Sequence, residues 1–209
     1  MRLSPTLVLA STNRSKLDEF NALILAYPGL SMLAATSVLA NADKLGHAER
    51  HDTYGENAIA KARLVNQGCH YPALADDSGL ECAGLGGKPG VRSHRYATPR
   101  AGKTQGESNN DLLLKELAGK SRDAKFVCTL ALVIEGIEIV AKGELEGTII
   151  EAPRGEHGFG YDPLFLPKGG SKTLAELTEP EKNLISHRAR ALQSLMNLVK
   201  AHGIVFAKP

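Results

Sequence analysis

An apolar run, Tyr71-Pro72-Ala73-Leu74-Ala75, ends in two adjacent acids and a glycine turn, Asp76-Asp77-Ser78-Gly79. The run reads as a short buried strand, and Ser78-Gly79 is expected to break it. Adjacent aspartates at the end of such a strand repel each other and lose part of their hydration, so positive charge should stand beside them. A divalent metal that also holds phosphate oxygens would supply it in a chain with clustered lysines and arginines elsewhere. The plainer alternative is an Asx-turn with solvated carboxylates.

Strand and helix signals alternate along the chain, which points to an α/β architecture. A strand over 6–10 leads into a helix over about 14–26, with Leu17, Phe20 and Ile24 on one face and Pro28-Gly29 after it. A second helix is expected over about 56–67, where alanines favour helix and Gly68 would stop it. Residues 84–106 are rich in glycine and basic groups and read as a surface loop, followed by a helix over 107–117. Two long strands over 126–135 and 137–146 form a hairpin about Gly136, and 148–151 reads as a further short strand. The last helix runs over 186–201, with Leu192, Leu195, Met196 and Val199 in phase and Gly203 past its end.

Bulk properties exclude several classes. A chain of 209 residues is one domain, or two lobes around one cleft, able to bury about 70% of its unfolded surface. Its net charge of +2 and pI of about 8.4 are too mild for a nucleic-acid coat, so no nucleic-acid partner is expected. The three cysteines, Cys69, Cys82 and Cys128, lack CxxC spacing, which argues against disulfides and structural zinc and for a reducing, cytoplasmic setting. No apolar run approaches the roughly 18 residues of a membrane helix. Leu7-Val8-Leu9-Ala10 reads as a strand rather than a signal peptide.

Two helix starts carry charge of the wrong sign. In Ser11-Thr12-Asn13-Arg14-Ser15-Lys16, Asn13 is a good N-cap, yet Arg14 and Lys16 occupy the first turn. Exposed cations there lose about 0.3–1 kcal/mol each against the macrodipole. An anion bound to the free N–H groups and Lys16 would reverse that sign. Ser186-His187-Arg188-Ala189-Arg190 repeats the pattern, with Glu179 and Glu181 upstream as a bland means of neutralising it. Gly158-Phe159-Gly160-Tyr161-Asp162-Pro163 puts two aromatics on a glycine loop, able to offer a ring face to a base. Gly102-Lys103-Thr104 is not a P-loop, because Ala97 stands where the first glycine is needed, and Ser78 lacks the G-x-S-x-G elbow.

Taken in order, Ser11 to Lys16, Glu56-Asn57-Ala58 with Lys61, Ala75-Asp76-Asp77-Ser78-Gly79-Leu80, Gly90, Ser93-His94-Arg95-Tyr96-Ala97, Gly158 to Pro163, Lys182 and Ser186-His187-Arg188 resemble the inosine triphosphate pyrophosphatase family. The resemblance covers nearly the whole chain. It implies one domain over 1–209, with a two-lobed α/β fold, a long mixed central sheet and an active-site cleft between lobes, assembled as a homodimer. It implies hydrolysis of nonstandard purine nucleoside triphosphates (ITP, dITP, XTP) to the monophosphate and pyrophosphate, with Mg²⁺ as cofactor.

By the same resemblance, Asp77 binds Mg²⁺ and takes a proton from the attacking water, and Glu49 is the second metal-linked acid. Ser11, Thr12, Asn13, Arg14, Ser15 and Lys16 form the phosphate loop, with Lys61 as a further phosphate contact and Ser78 as a nucleotide contact. Phe159, Gly160, Tyr161 and Asp162 correspond to the base-and-sugar loop, and Lys182, His187 and Arg188 to the groups around the purine edge. The family's E-T-G-x-T-F becomes Glu49-Arg50-His51-Asp52-Thr53-Tyr54 here, which leaves Asp52 as an alternative second acid. The rival readings are a Maf-like pyrophosphatase for pyrimidine or modified nucleotides, and a non-catalytic nucleotide-binding module.

Overall fold

The computed structural model describes residues 2–40 and 42–206. In chain order its elements are β1 (Arg2–Leu3), β2 (Thr6–Leu9), α1 (Arg14–Ile24), β3 (Ser31–Ala34), α2 (Tyr54–Cys69), β4 (Ala73–Cys82), α3 (Gln105–Glu116), β5 (Asp123–Ile134), β6 (Ile137–Ile149), β7 (Phe165–Pro167), α4 (Glu179–Ile185), α5 (His187–Ala201) and β8 (Val205–Phe206). A six-stranded sheet has the order β3-β2-β4-β5-β6-β7, and β1 pairs with β8 separately. β2 is parallel to both β3 and β4, whereas β6 and β7 are antiparallel, so the sheet is mixed as expected.

The chain divides into two compact units, one of residues 1–77, 128–143 and 188–209, the other of 78–127 and 144–187. In the first unit the period of two along each strand sorts side chains onto two faces. Leu7, Leu9, Leu74, Cys128, Leu130 and Leu132 pack with Phe20 and Leu23 of α1 and Leu192, Leu195 and Val199 of α5. Val8, Ala10, Ala73, Ala75, Ala131 and Val133 pack with Ala58, Ala62 and Val65 of α2. The small residues on this second face let α2 lie close to the strands. The second unit has its own core, in which Leu80, Cys82, Leu113, Phe126, Leu145, Tyr161, Leu164 and Phe165 meet.

Several expectations are corrected. Ser78-Gly79 does not break the acidic strand, since β4 runs on to Cys82 and buries Gly79 and Leu80. Gly68 does not stop α2; the left-handed cap is His70 (φ 59°), whose N–H donates to the Asn66 carbonyl. Residues 148 and 149 continue β6 rather than start a new strand. The expected loop 84–106 contains short 3₁₀ turns at Ala83–Leu85 and Gly90–Arg95, and a Thr104–Glu107 capping box starts α3 at Gln105. Strands β3 and β7 and helix α4 lie where no element was expected. The hairpin is as read: Glu135 (φ 45°) and Gly136 (φ 85°) turn it, both in the region that a tight two-residue turn requires.

Candidate active site

Strand alternation decides which way each of the two acids points. Asp76 shares the parity of Leu74, the face covered by α1 and α5, and Asp77 that of Ala73 and Ala75, the face covered by α2. Neither is at a strand end and neither is solvated: Asp76 is 0% exposed and Asp77 6%. The Asx-turn alternative is therefore overturned.

On its face, Asp76 Oδ2 meets Lys16 Nζ at 3.1 Å and accepts from Arg188 Nε at 3.1 Å. Arg188 Nη1 donates to Glu19 Oε2 at 3.1 Å, and Cys128 Sγ lies 3.4 Å from Asp76 Oδ1. Burial alone would push the Asp76 carboxyl up, but the charges of Lys16, Arg188 and Lys61 hold it far below the usual carboxylate range. Burial likewise opposes the charge on Arg188, yet Glu19 and Asp76 raise its pKa. Two helix starts that look electrostatically faulty thus share one buried carboxylate. Glu181 instead caps its own helix with Thr178, so the bland neutralisation of Arg188 is not the one used.

On the other face, α2 sends Lys61 and Asn57 towards Asp77. Lys61 Nζ donates to Glu49 Oε1 at 2.7 Å and to the Asp76 carbonyl at 2.7 Å, and stands 3.4 Å from Asp77 Oδ1. Asn57 Nδ2 donates to Asp77 Oδ2 at 3.1 Å. Burial raises the Asp77 pKa first of all; Lys61 and Lys16 pull it down, Glu49 pushes it up, and the net direction is upward. Burial disfavours the charge on Lys61, but Asp77, Glu49 and Asp76 together raise its pKa. Of the two acids left open by the sequence, Glu49 is the one brought to Lys61, while Asp52 is exposed.

The residues expected to form the phosphate loop lie at the start of α1. Ser11 Oγ accepts from the Asn13 N–H at 3.1 Å and Asn13 Oδ1 from the Lys16 N–H at 3.3 Å, while Thr12, Arg14 and Ser15 are exposed. Ser78 is partly buried in β4.

The second unit holds the aromatic segment. Asp162 Oδ2 accepts from the Phe159 N–H at 2.9 Å and from Lys182 Nζ at 2.8 Å, and that ammonium lies 5.1 Å from the Phe159 ring centre. Tyr161 donates its hydroxyl to the Ser93 carbonyl at 2.8 Å, and the Gly160 carbonyl accepts from Asn110 at 3.1 Å. His187 is buried and stacked on Phe126, ring centres 4.7 Å apart.

The Ham1 family model matches residues 7–198. This chain belongs to the Ham1 family. It is 46% identical over 201 residues to the dITP/XTP pyrophosphatase of Ralstonia nicotianae, covering 93% of this chain and 96% of that one. Identity to the dITP/XTP pyrophosphatase of Bacillus subtilis is 43% over 200 residues, with 93% and 96% covered. Among solved structures, a HAM1 protein from Coxiella burnetii superposes with a TM-score of 0.78 at 37% identity, covering 94% of this chain and 98% of the other. The Staphylococcus aureus Ham1 protein gives 0.77 at 32% identity, with 94% and 99% covered.

The resemblance did not attach a role to Asn57, Glu19 or Cys128, which meet Asp77, Arg188 and Asp76 respectively. Glu19 carried a usable signal: it lies on the helix face of Phe20 and Leu23, where an acid is buried only with a partner. Glu49 and Asp77 are also the residues suited to a metal. Carboxylate oxygens are the hard donors that Mg²⁺ takes, and no group of three or more His, Cys, Asp or Glu is gathered for a metal among the described residues. Mg²⁺ commonly keeps several waters and takes one or two carboxylates plus phosphate oxygens. The pair therefore fits an ion that arrives with phosphates, not a cage made of protein.

Proposed function

We propose that this Ham1 protein hydrolyses nonstandard purine nucleoside triphosphates (dITP, XTP and ITP) to the monophosphate and pyrophosphate, clearing them from the nucleotide pool. The observation that carries the reading is the contrast between two neighbouring buried carboxyls: Lys16 and Arg188 each meet Asp76 at 3.1 Å, whereas Asp77 shares with Glu49 an ammonium 3.4 Å away and is raised in proton affinity by burial. Where two acids are pushed apart in this way, the raised one is suited to accept a proton. The names of the relatives, dITP/XTP pyrophosphatases, supply the substrate class.

In the proposed reaction a water oxygen attacks the α-phosphorus as its proton passes to the Asp77 carboxylate. The bond from the α-phosphorus to the bridging oxygen breaks, and its electron pair leaves on pyrophosphate. Such reactions need mainly positioning and charge neutralisation. Lys16, Lys61 and the N–H groups at the start of α1 bind and neutralise the phosphates. Glu49 and Asp77 would hold Mg²⁺, which would supply Lewis-acid neutralisation of the phosphate charge.

Phe159 offers a ring for stacking, which adds affinity without choosing the base. Lys182, whose ammonium lies beside that ring, carries donors and no acceptor, so it would reward a carbonyl at purine position 6 and oppose the adenine amino group. No described helix is long and apolar enough to cross a membrane. Three free cysteines, two of them buried, suit a reducing compartment. We assign the enzyme to the cytoplasm on that ground, and to a homodimer on its resemblance to the family.

A nucleotide panel with Mg²⁺, assayed for both orthophosphate and pyrophosphate, tests the reading. Pyrophosphate should appear from ITP, dITP and XTP far ahead of ATP, GTP, dTTP and UTP. Equal rates on ITP and ATP, or release of orthophosphate, would overturn it.

A further inference from the structure

We propose that Asn57 is a positioning residue that holds the Asp77 and Glu49 carboxylates in fixed register for the hydrolysis described above, an inference that rests on that reading. Asn57 is 2% exposed and uses its amide in three bonds. Its Nδ2 donates to Asp77 Oδ2 at 3.1 Å and to the His51 carbonyl at 3.2 Å, and its Oδ1 accepts from the His51 N–H at 2.9 Å. Both donors of the amide are thus used. A flipped amide would face two donors towards the His51 N–H and an oxygen towards a carboxylate, so the orientation is determined by its neighbours.

The position of Asn57 in the chain makes the bond set consequential. Asn57 and Lys61 are four residues apart on α2, hence stacked on one helix face. Lys61 takes Asp77 Oδ1 and Asn57 takes Asp77 Oδ2, so one turn of helix holds both oxygens of the carboxylate. The same turn reaches the second acid twice: Lys61 binds Glu49 directly, and Asn57 clamps both backbone groups of His51, two residues further on. Glu49 lies between a 3₁₀ turn (Ala42–Ala48) and α2, on a segment that would otherwise be mobile relative to β4. Asn57 therefore transfers the rigidity of α2 to that segment and to Asp77 together. Groups carried on helices and strands are held more closely than groups on loops, and a misplacement of about 1 Å can cost about 10²-fold in rate.

Two variants separate this role from simple packing. Asn57→Ala removes all three bonds and leaves a void. Asn57→Asp fills the space and keeps an acceptor for the His51 N–H, but turns an acceptor towards Asp77. A positioning role predicts a loss of kcat of about 10–100-fold in Asn57→Ala, a larger loss in Asn57→Asp, and KM for ITP within about threefold in both. It also predicts ITP binding by equilibrium dialysis in EDTA unchanged within about threefold. A packing role gives losses of kcat that disappear when each variant is assayed equally far below its own melting temperature. That outcome, or kcat within about threefold of the unmodified protein in either variant, would overturn the inference. Should Asn57→Asp not fold, Asn57→Ala and Asn57→Ser decide by the same threefold limit on kcat. No pyrophosphate from ITP with the unmodified protein would overturn the functional reading and this inference with it, whereas normal turnover in the variants overturns this inference alone.

Discussion

Asp76 and Asp77 are consecutive in β4, and their carboxyl groups are driven in opposite directions. Both are buried, so desolvation raises both. The difference lies in the partners that each face of the strand supplies. Asp76 has Lys16 and Arg188 at 3.1 Å, whereas Asp77 has a single ammonium at 3.4 Å that it shares with Glu49. One step along a strand thus separates an acid used as a counter-ion from one suited to accept a proton.

Asp77→Asn should lower turnover of ITP by about 10²–10⁴-fold, the range of a lost general base, with ITP binding retained within about tenfold. The amide keeps the shape and can still accept from Lys61, but it has neither charge nor basicity. Rates measured at saturating Mg²⁺ check this, and near-normal turnover would remove Asp77 from the proton step.

The two acids should act oppositely on stability as pH changes. The folded pKa of Asp76 lies below its unfolded value of about 3.9, so its stabilisation is complete above that value and is lost as pH falls through the acid range. The folded pKa of Asp77 lies above its unfolded value, so its contribution is present at low pH and lost as pH rises. Urea unfolding between about pH 3 and pH 7 reads both effects. Asp76→Asn should be less stable at neutral pH by about 3–5 kcal/mol, the cost of stranding buried partners, with a flatter acid limb. Asp77→Asn should equal or exceed the unmodified protein at neutral pH. Parallel curves for all three proteins would contradict the assignment.

A cation in the first turn of a helix looks dispensable for folding, and for the exposed Arg14 that holds: Arg14→Ala should leave stability unchanged or raise it by a few tenths of a kcal/mol. Lys16 differs because its ammonium meets a fully buried carboxylate. Lys16→Ala should cost about 1.5–3 kcal/mol of stability, and weaken triphosphate binding by a similar amount. Unaltered unfolding midpoints in Lys16→Ala would show that Arg188 alone satisfies Asp76.

Gly158 has φ 73°, and a Cβ there would run into the Asp162 carboxylate. That carboxylate fixes the Phe159 N–H and the Lys182 ammonium. Gly158→Ala should therefore raise KM for ITP while leaving the pH dependence of kcat untouched. A KM equal to that of the unmodified protein would remove this segment from nucleotide binding.

Much of this was legible in the residues. Amphipathic period exposed α1 and α5, and Gly136 marked the hairpin, because both signals are local. The acidic pair was found, but its setting was misread: Ser78-Gly79 signals a break, and only the cations arriving from α1, α2 and α5 make a continuous buried strand through two acids tolerable. Asn57 shows the same limit. Its sequence neighbours mark a helix, while its bonds go to His51 and to a strand that follows the helix. Short strands such as β3 and β7 escaped because pairing, not propensity, defines them.

The first unit is composed of three separate stretches, and the last of these, residues 188–209, follows the first by 111 residues (188 − 77). At about 5–20 residues per second, a ribosome needs roughly 5–20 s to cover that interval. Throughout it, Phe20 and Leu23 lack the helix that covers them, and Asp76 lacks the guanidinium of Arg188. Until the final helix emerges, the nascent N-terminal third therefore presents an uncovered apolar face and an acid that has Lys16 and Lys61 beside it but lacks its guanidinium partner.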